Sequence, residues 1–178
     1  MRHAQIRSIK ISGTALALGM AMLMAHAAAA APRDASARKD QHFMTEAIQG
    51  DLSEIKMGKL AQEKGQSDQV KDFGRTLEQD HSEHLQKAQQ TAQQDGLNAP
   101  SEPNAKQKAM YDRMSSLTGK AFDAAFARDM VRDHEKDIKA YQKEASSHSG
   151  LADFAAQTVP VLKKHLETAQ SLLPSRGR

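Results

Sequence analysis

At 178 residues, with 39% apolar residues and neither cysteine nor tryptophan, the chain is long enough for one domain, too short for two ordinary ones, and must be stable without disulfides. Its formal charge of +3 comes from Arg2, Arg7 and Lys10, which precede any acid; beyond them 22 basic residues face 22 acidic ones. A balanced chain with only 4% aromatic residues lacks both the phosphate-neutralising charge and the stacking surface of a nucleic-acid binder, so no nucleic-acid partner is expected.

Residues 1–31 have the three parts of a secretory signal peptide. The basic start is followed by an apolar run from Ile11 to Ala25, then by Ala25-His26-Ala27 and an alanine string to Ala31. Ser12, Gly13 and Thr14 interrupt the run, which falls short of the ~20 residues a membrane-spanning helix needs. Cleavage between Ala27 and Ala31 is therefore expected rather than a retained anchor. The mature chain, 32–178, should carry no transmembrane span and reside in the periplasm or outer envelope.

That mature chain has few β-branched residues and no alternating runs, so it reads as a single all-α domain. A first helix is predicted over about 37–64, with Phe43, Ala47, Gly50, Glu54, Gly58 and Ala61 on one line and Met44, Ile48 and Ile55 beside it. Gly65-Gln66-Ser67 ends it and caps a second helix, about 68–94, striped by Val70, Phe73, Leu77, His81, His84 or Leu85, which compete for one inward place, Ala88 and Ala92. The segment 96–104, with Pro100 and Pro103, is linker-like, and a short helix follows at about 105–117. A third long helix, about 120–146, aligns Phe122, Phe126, Met130, His134, Ile138 and Tyr141. The last, about 151–173, contains Pro160, which should kink or restart it. Two helical hairpins joined by one longer connection describe a four-helix bundle with a crossover, competent to fold as a monomer.

The segment Phe73 to His81 echoes 53 residues later in Phe126 to His134, with Phe, Arg, Asp and His identical at matching places. Both copies put an Asp-His pair in mid-helix, Asp80-His81 and Asp133-His134, with the histidine continuing the apolar stripe. His165 does the same in the last helix and Glu54 in the first. Because an unpaired buried charge costs several kcal/mol, such residues must meet one another, a metal or trapped water. Glu78 and His81 also form a Glu-x-x-His pair, whose spacing projects a carboxylate and an imidazole to one side of a helix. Val131 and Leu162 stand where second and third pairs would need a glutamate, so a di-metal set is incomplete.

The chain resembles the secreted bacterial family called domain of unknown function 4142. The resemblance runs from about Asp40 to Leu173. It rests on Asp40-Gln41-His42-Phe43, Gly58-Lys59-Leu60-Ala61, Val70-Lys71-Asp72-Phe73, Asp80-His81, Leu117-Thr118-Gly119, Met130-Val131-Arg132-Asp133-His134 and Val159-Pro160-Val161-Leu162 with His165-Leu166. It implies a ferritin-like bundle and an envelope location, and brings no established activity.

Two readings of the ionisable residues follow. In one, Glu54, Glu78, His81, His134 and His165 ligate iron, manganese or zinc, with Asp80 and Asp133 supporting them or substituting for them. In the other, they form a hydrogen-bonded cluster that fixes helix register, with Asp80 and Asp133 pairing with Arg75 or Arg132. His42, His84 and His148 are expected at the surface, and Met44, Met57, Met110, Met114 and Met130 as core filler. No nucleophile elbow, phosphate-binding glycine loop or thiol is present. The function expected is that of a non-enzymatic envelope protein binding a partner or protecting under stress; the alternative is a metal-binding or oxidase-like bundle. Equal distances from the two tight turns predict that His134 and His165 lie level and that Glu54 neighbours His81, with Gly50 making room for its ring. All four ionisable residues should then converge in one layer.

Overall fold

Local chemistry fixes the helix ends. In the computed structural model, which describes residues 31–173 and their side chains from residue 35, the helices are α1 (Ala31–Lys64), α2 (Asp68–Gln94), α3 (Ala105–Ser115), α4 (Gly119–Ala145) and α5 (Ala152–Ser171), and no strand occurs among the described residues. Ser67 caps α2 by accepting from the Val70 amide at 3.3 Å. Asp123 of α4 adds a second cap from a distance, its carboxylate accepting from Gln66 N at 2.8 Å and Ser67 N at 3.0 Å. At the other end of α2, Gly96 takes φ +66° while Leu97 N reaches back to Ala92 O at 2.8 Å, a Schellman ending that a residue with a Cβ would strain. Asn104 and Gln107 form a reciprocal capping box at the start of α3.

The tight turn at 65–67 folds α2 back along α1, and the turn at 146–151 folds α5 back along α4. The connection between these hairpins climbs the outside of α1. Gln41 and Asn98 exchange two hydrogen bonds near the start of α1, and Lys64 Nζ donates to Ser115 O at 2.5 Å near its end. α4 consequently starts beside the α1–α2 turn and runs in the same direction as α2.

Packing differs along the molecule. Near the 65–67 turn, Met57, Leu60, Phe73, Leu77, Phe122, Phe126 and Met130 form a continuous buried cluster. There α1 and α2 touch backbone to backbone: a Cβ on Gly58 would stand 2.6 Å from Gly74 O, and one on Gly74 2.6 Å from Gly58 O. At the opposite end, Met44, Ile48, Ala88, Ala92 and Leu151 make one smaller cluster, and Ala47, Ile138, Tyr141, Ala155 and Leu162 another. The buried histidines lie between these regions.

Two expectations change. Pro160 does not restart the last helix, since α5 runs through it, and the Ala156 carbonyl left without its amide donor belongs to an exposed residue. Helix α1 starts at Ala31, well before residue 37, because nothing between Pro32 and Lys39 opposes continuation once the proline occupies the first turn. The expected signal peptide lies, but for Ala31, outside the described residues, and no helix among the described residues is long and apolar enough to cross a membrane.

Candidate metal centre

The two echoed segments face each other. Phe73 and Phe126 meet edge to face at 6.0 Å between ring centroids, and one stretch further along His81 and His134 repeat the arrangement, also at 6.0 Å. His165 of α5 completes a group of three, its ring 5.3 Å from each of the other two. One ring nitrogen from each of the three lies within 4.8 Å of the others, and all three residues are buried.

Each imidazole is held from behind by an acceptor. His134 Nδ1 donates to the Met130 carbonyl at 2.8 Å, His81 Nδ1 to Asp51 Oδ1 at 2.9 Å, and His165 Nε2 to Asp80 Oδ2 at 2.9 Å. A carbonyl or carboxylate oxygen can only accept, so in each neutral ring the proton sits on the outward nitrogen and the other nitrogen carries a lone pair. Burial, reinforced by His81 and His165, pushes His134 from 6.5 down to about 3, and burial likewise lowers His165, with His81 adding to the effect against Asp80. His134 Nε2 and His165 Nδ1 therefore approach at 3.3 Å as two acceptors with no proton between them. His81 Nε2 is fully buried and has no hydrogen-bond partner.

Behind His81 the network continues. Asp51 is 3% exposed and its second oxygen accepts from His84 Nδ1 at 2.8 Å, while His84 Nε2 faces Thr158 Oγ1 at 3.0 Å. Burial alone would raise the Asp51 carboxyl, but the hydrogen bonds from His81 and His84 outweigh it and hold the group below the usual carboxylate range. Glu54 is the opposite case. It is buried with Oε2 unpartnered, and burial, followed by repulsion from Asp133, Asp137 and Asp51, raises it well above the ordinary range. Asp137 is raised to about 6, chiefly by burial.

The residues singled out in the sequence thus separate. His81, His134 and His165 come together, with Asp80 behind one of them. His134 and His165 are level, as their distances from the turn require. Glu54 shares the interior but makes no hydrogen bond to His81. The place opposite His81 is filled by Asp51, and a Cβ on Gly50 would meet nothing within 4 Å, so Gly50 is not what admits the ring. Glu78 turns aside, accepting from Gln62 Nε2 at 2.7 Å and facing Lys59 at 3.6 Å. Asp133 lies 3.5 Å from Arg132, which also pairs with buried Asp129, while Arg75 pairs with Asp72 and leaves Asp80 to His165. His42 and His148 are exposed as expected. His84 is not: it sits between Phe154, 4.9 Å away, and Tyr141, 5.8 Å away, because Asp51 and Thr158 give both its nitrogens buried partners. Sequence reasoning missed Asp51 altogether, although it continues the line of Met44, Ile48 and Ile55 on α1.

A cavity of about 570 Å³ opens beside the cluster, bounded by α1, α2, α4 and α5. His81, His165, Asp51 and His84 form its inner wall, while His134 stands behind them.

No curated protein and no solved structure matches the chain. A sequence model of the family described as a domain of unknown function (DUF4142) matches residues 24–172, most of the chain, and the protein belongs to that family.

Proposed function

We propose that this protein is a ferritin-like four-helix bundle of the bacterial envelope whose function is to bind one divalent transition-metal ion through His81, His134 and His165. The observation that carries this reading is the inward lone pairs: three buried imidazoles, each with its proton committed outward, aim acceptors at one point. Without an ion these nitrogens repel or stay unsatisfied, which a purely structural cluster would avoid. With zinc at ~2.0–2.1 Å from each nitrogen, the ligand edges of a tetrahedron measure about 3.4 Å, close to the 3.3 Å between His134 and His165. Asp51, Asp80 and the Met130 carbonyl are the outer acceptors that orient metal-bound histidines and fix their tautomer.

An all-imidazole set suits zinc or iron better than manganese, which prefers oxygen ligands. It also favours one ion over two, since Glu78 faces Gln62 and Lys59, and Glu54 makes no hydrogen bond to any of the histidines. A role in holding or buffering an ion fits an exported protein acting in stress protection without catalysis. Partner binding draws less support, since the exposed large apolar side chains among the described residues are Val161 and Leu173.

The test uses full-length protein expressed without a His tag, stripped with chelator and titrated with zinc. One ion per chain should bind and raise the melting temperature, by an amount equivalent to ~2.7 kcal/mol at a hundredfold excess over Kd. His134→Leu should fold and lose that rise. Absence of any metal-dependent rise in the parent protein would overturn the reading. The intact mass of envelope-recovered protein, expected to start between residues 28 and 32, checks the export expectation separately.

A further inference from the structure

The charges lining the cavity are sorted by depth. Its four lysines, Lys39, Lys87, Lys136 and Lys143, are all exposed and stand at the rim. The less exposed charged residues of the wall are all acids, and most are committed: Asp51 and Asp80 to histidines, Glu144 to the hydroxyls of Ser147 and Ser149. Asp137 is not. It accepts no hydrogen bond among the described residues, and the cation paired with it is Lys136 at 3.8 Å, an exposed side chain that also faces Glu46 at 3.4 Å. Exposed pairs of that kind contribute little.

One turn along α4, Tyr141 is only 7% exposed, yet its hydroxyl has no hydrogen-bond partner among the described residues. The oxygen is not sealed in, so it opens on the cavity that its ring lines. Burial, then Asp51 and Asp137, raise this hydroxyl well above the ordinary range, which keeps its proton on and marks both carboxylates as its neighbours. Beside it stand Phe43, edge to face at 5.0 Å, and Phe154 at 6.5 Å, both half-buried and lining the same space. The volume of about 570 Å³ falls within the ~300–1,000 Å³ range of small-molecule sites.

We propose that this cavity binds a small primary amine carrying a flat apolar body, its ammonium between Asp137 and Tyr141 and its body against Phe43 and Phe154. Each part of the ligand answers a feature of the wall. An ammonium brings three donors and no acceptor, which suits a carboxylate without a hydrogen bond and a hydroxyl oxygen without a partner. The ring faces attract the cation and give the apolar body edge or offset contacts. Water could satisfy Asp137 and Tyr141, but it would leave Phe43 and Phe154 wet. An anion would meet like charge at Asp51 and Asp137. None of the three clustered imidazoles is needed, so the inference stands apart from the metal reading.

The experiment is calorimetric titration of full-length, untagged protein, with chelator present so that no amine can ligate a metal ion. Phenethylamine is compared with 2-phenylethanol, the same body without the charge, and with ethylamine, the charge without the ring. Phenethylamine should bind at least about tenfold more tightly than either, the worth of one hydrogen bond to a charged group on one side and of one buried ring on the other. Asp137→Asn keeps the shape of the side chain and should remove the advantage over 2-phenylethanol. Gly50→Leu is the second variant. Gly50 lines the cavity with open space around its Cβ, so the leucine occupies the cavity without touching Asp137, and phenethylamine binding should be lost. No phenethylamine binding, or equal binding of the amine and the alcohol, would overturn the proposal. Amine binding that survives either substitution would place it on the outer surface and overturn it as well. Each of these outcomes leaves the metal reading untouched.

Discussion

Two glycines on one helix show how the two ends of this protein differ. Gly58 and Gly50 are eight residues apart on α1. At Gly58 the α2 backbone stands where a side chain would begin, while at Gly50 there is nothing within 4 Å. The Gly58–Gly74 contact draws the hairpin shut over a dry core of Phe73, Phe122 and Phe126. Beyond the histidine layer the same helices part around the cavity. Rigid packing at one end thus anchors the histidine layer, and open packing at the other gives access to it.

Substitutions that exchange the character of the two ends sharpen this contrast. The largest effect is expected at Gly58→Leu. The new side chain overlaps backbone that cannot move aside, so denaturant unfolding should show a loss of ~3 kcal/mol or more. Next comes Asp51→Ala, which leaves the Nδ1–H groups of His81 and His84 buried without an acceptor. Chemical denaturation should report a loss of ~2–3 kcal/mol, together with weakened zinc binding because His81 is no longer oriented.

A third expectation concerns pH in the chelator-treated protein. Folded His134 stays neutral down to about 3, whereas in the unfolded chain it takes a proton near 6.5. The unfolded state therefore binds more protons between those values, and His134 stabilises the fold fully above pH 6.5 and less as pH falls toward 3. Its share is up to ~1.4 kcal/mol per pH unit. His134→Leu should flatten a plot of unfolding free energy against pH across that window, and an unchanged slope would contradict its neutral burial. The smallest effect is expected at Gly50→Ala, where the helix gains ~0.5–1 kcal/mol because the added methyl meets nothing; thermal unfolding reads it directly.

Much of the scaffold was legible in the sequence because helix signals are local. Ser67 and Asn104 cap helices as their types suggest, and Gly96 ends one. The stripes through Phe73, Leu77 and His81 and through Phe126, Met130 and His134 describe faces that are indeed buried. The echo between them was legible too, and its copies face each other. Glu78 was misleading, because spacing along one helix says nothing about whether Gln62 and Lys59 on the neighbour will compete for the carboxylate. His84 was misplaced for a similar reason: Leu85 offered a plausible inward residue, and the acceptors that bury His84 come from α1 and α5, 33 and 74 residues away in the chain.

The sequence by itself determined that the described chain is helical, where most of its helices begin and end, and that His81, His134 and His165 point inward, since capping, turn chemistry and a 3.6-residue period act over a few residues. Only the tertiary structure decided that Asp51 and Asp80, rather than Glu54 and Glu78, stand behind the histidines. It alone decided which nitrogens carry the protons, and that a cavity opens beside His81 and His165. These depend on register and rotation between helices, which arise where Gly58 meets Gly74 and where Asp123 caps the α1–α2 turn, contacts between residues far apart in the chain that no local pattern encodes.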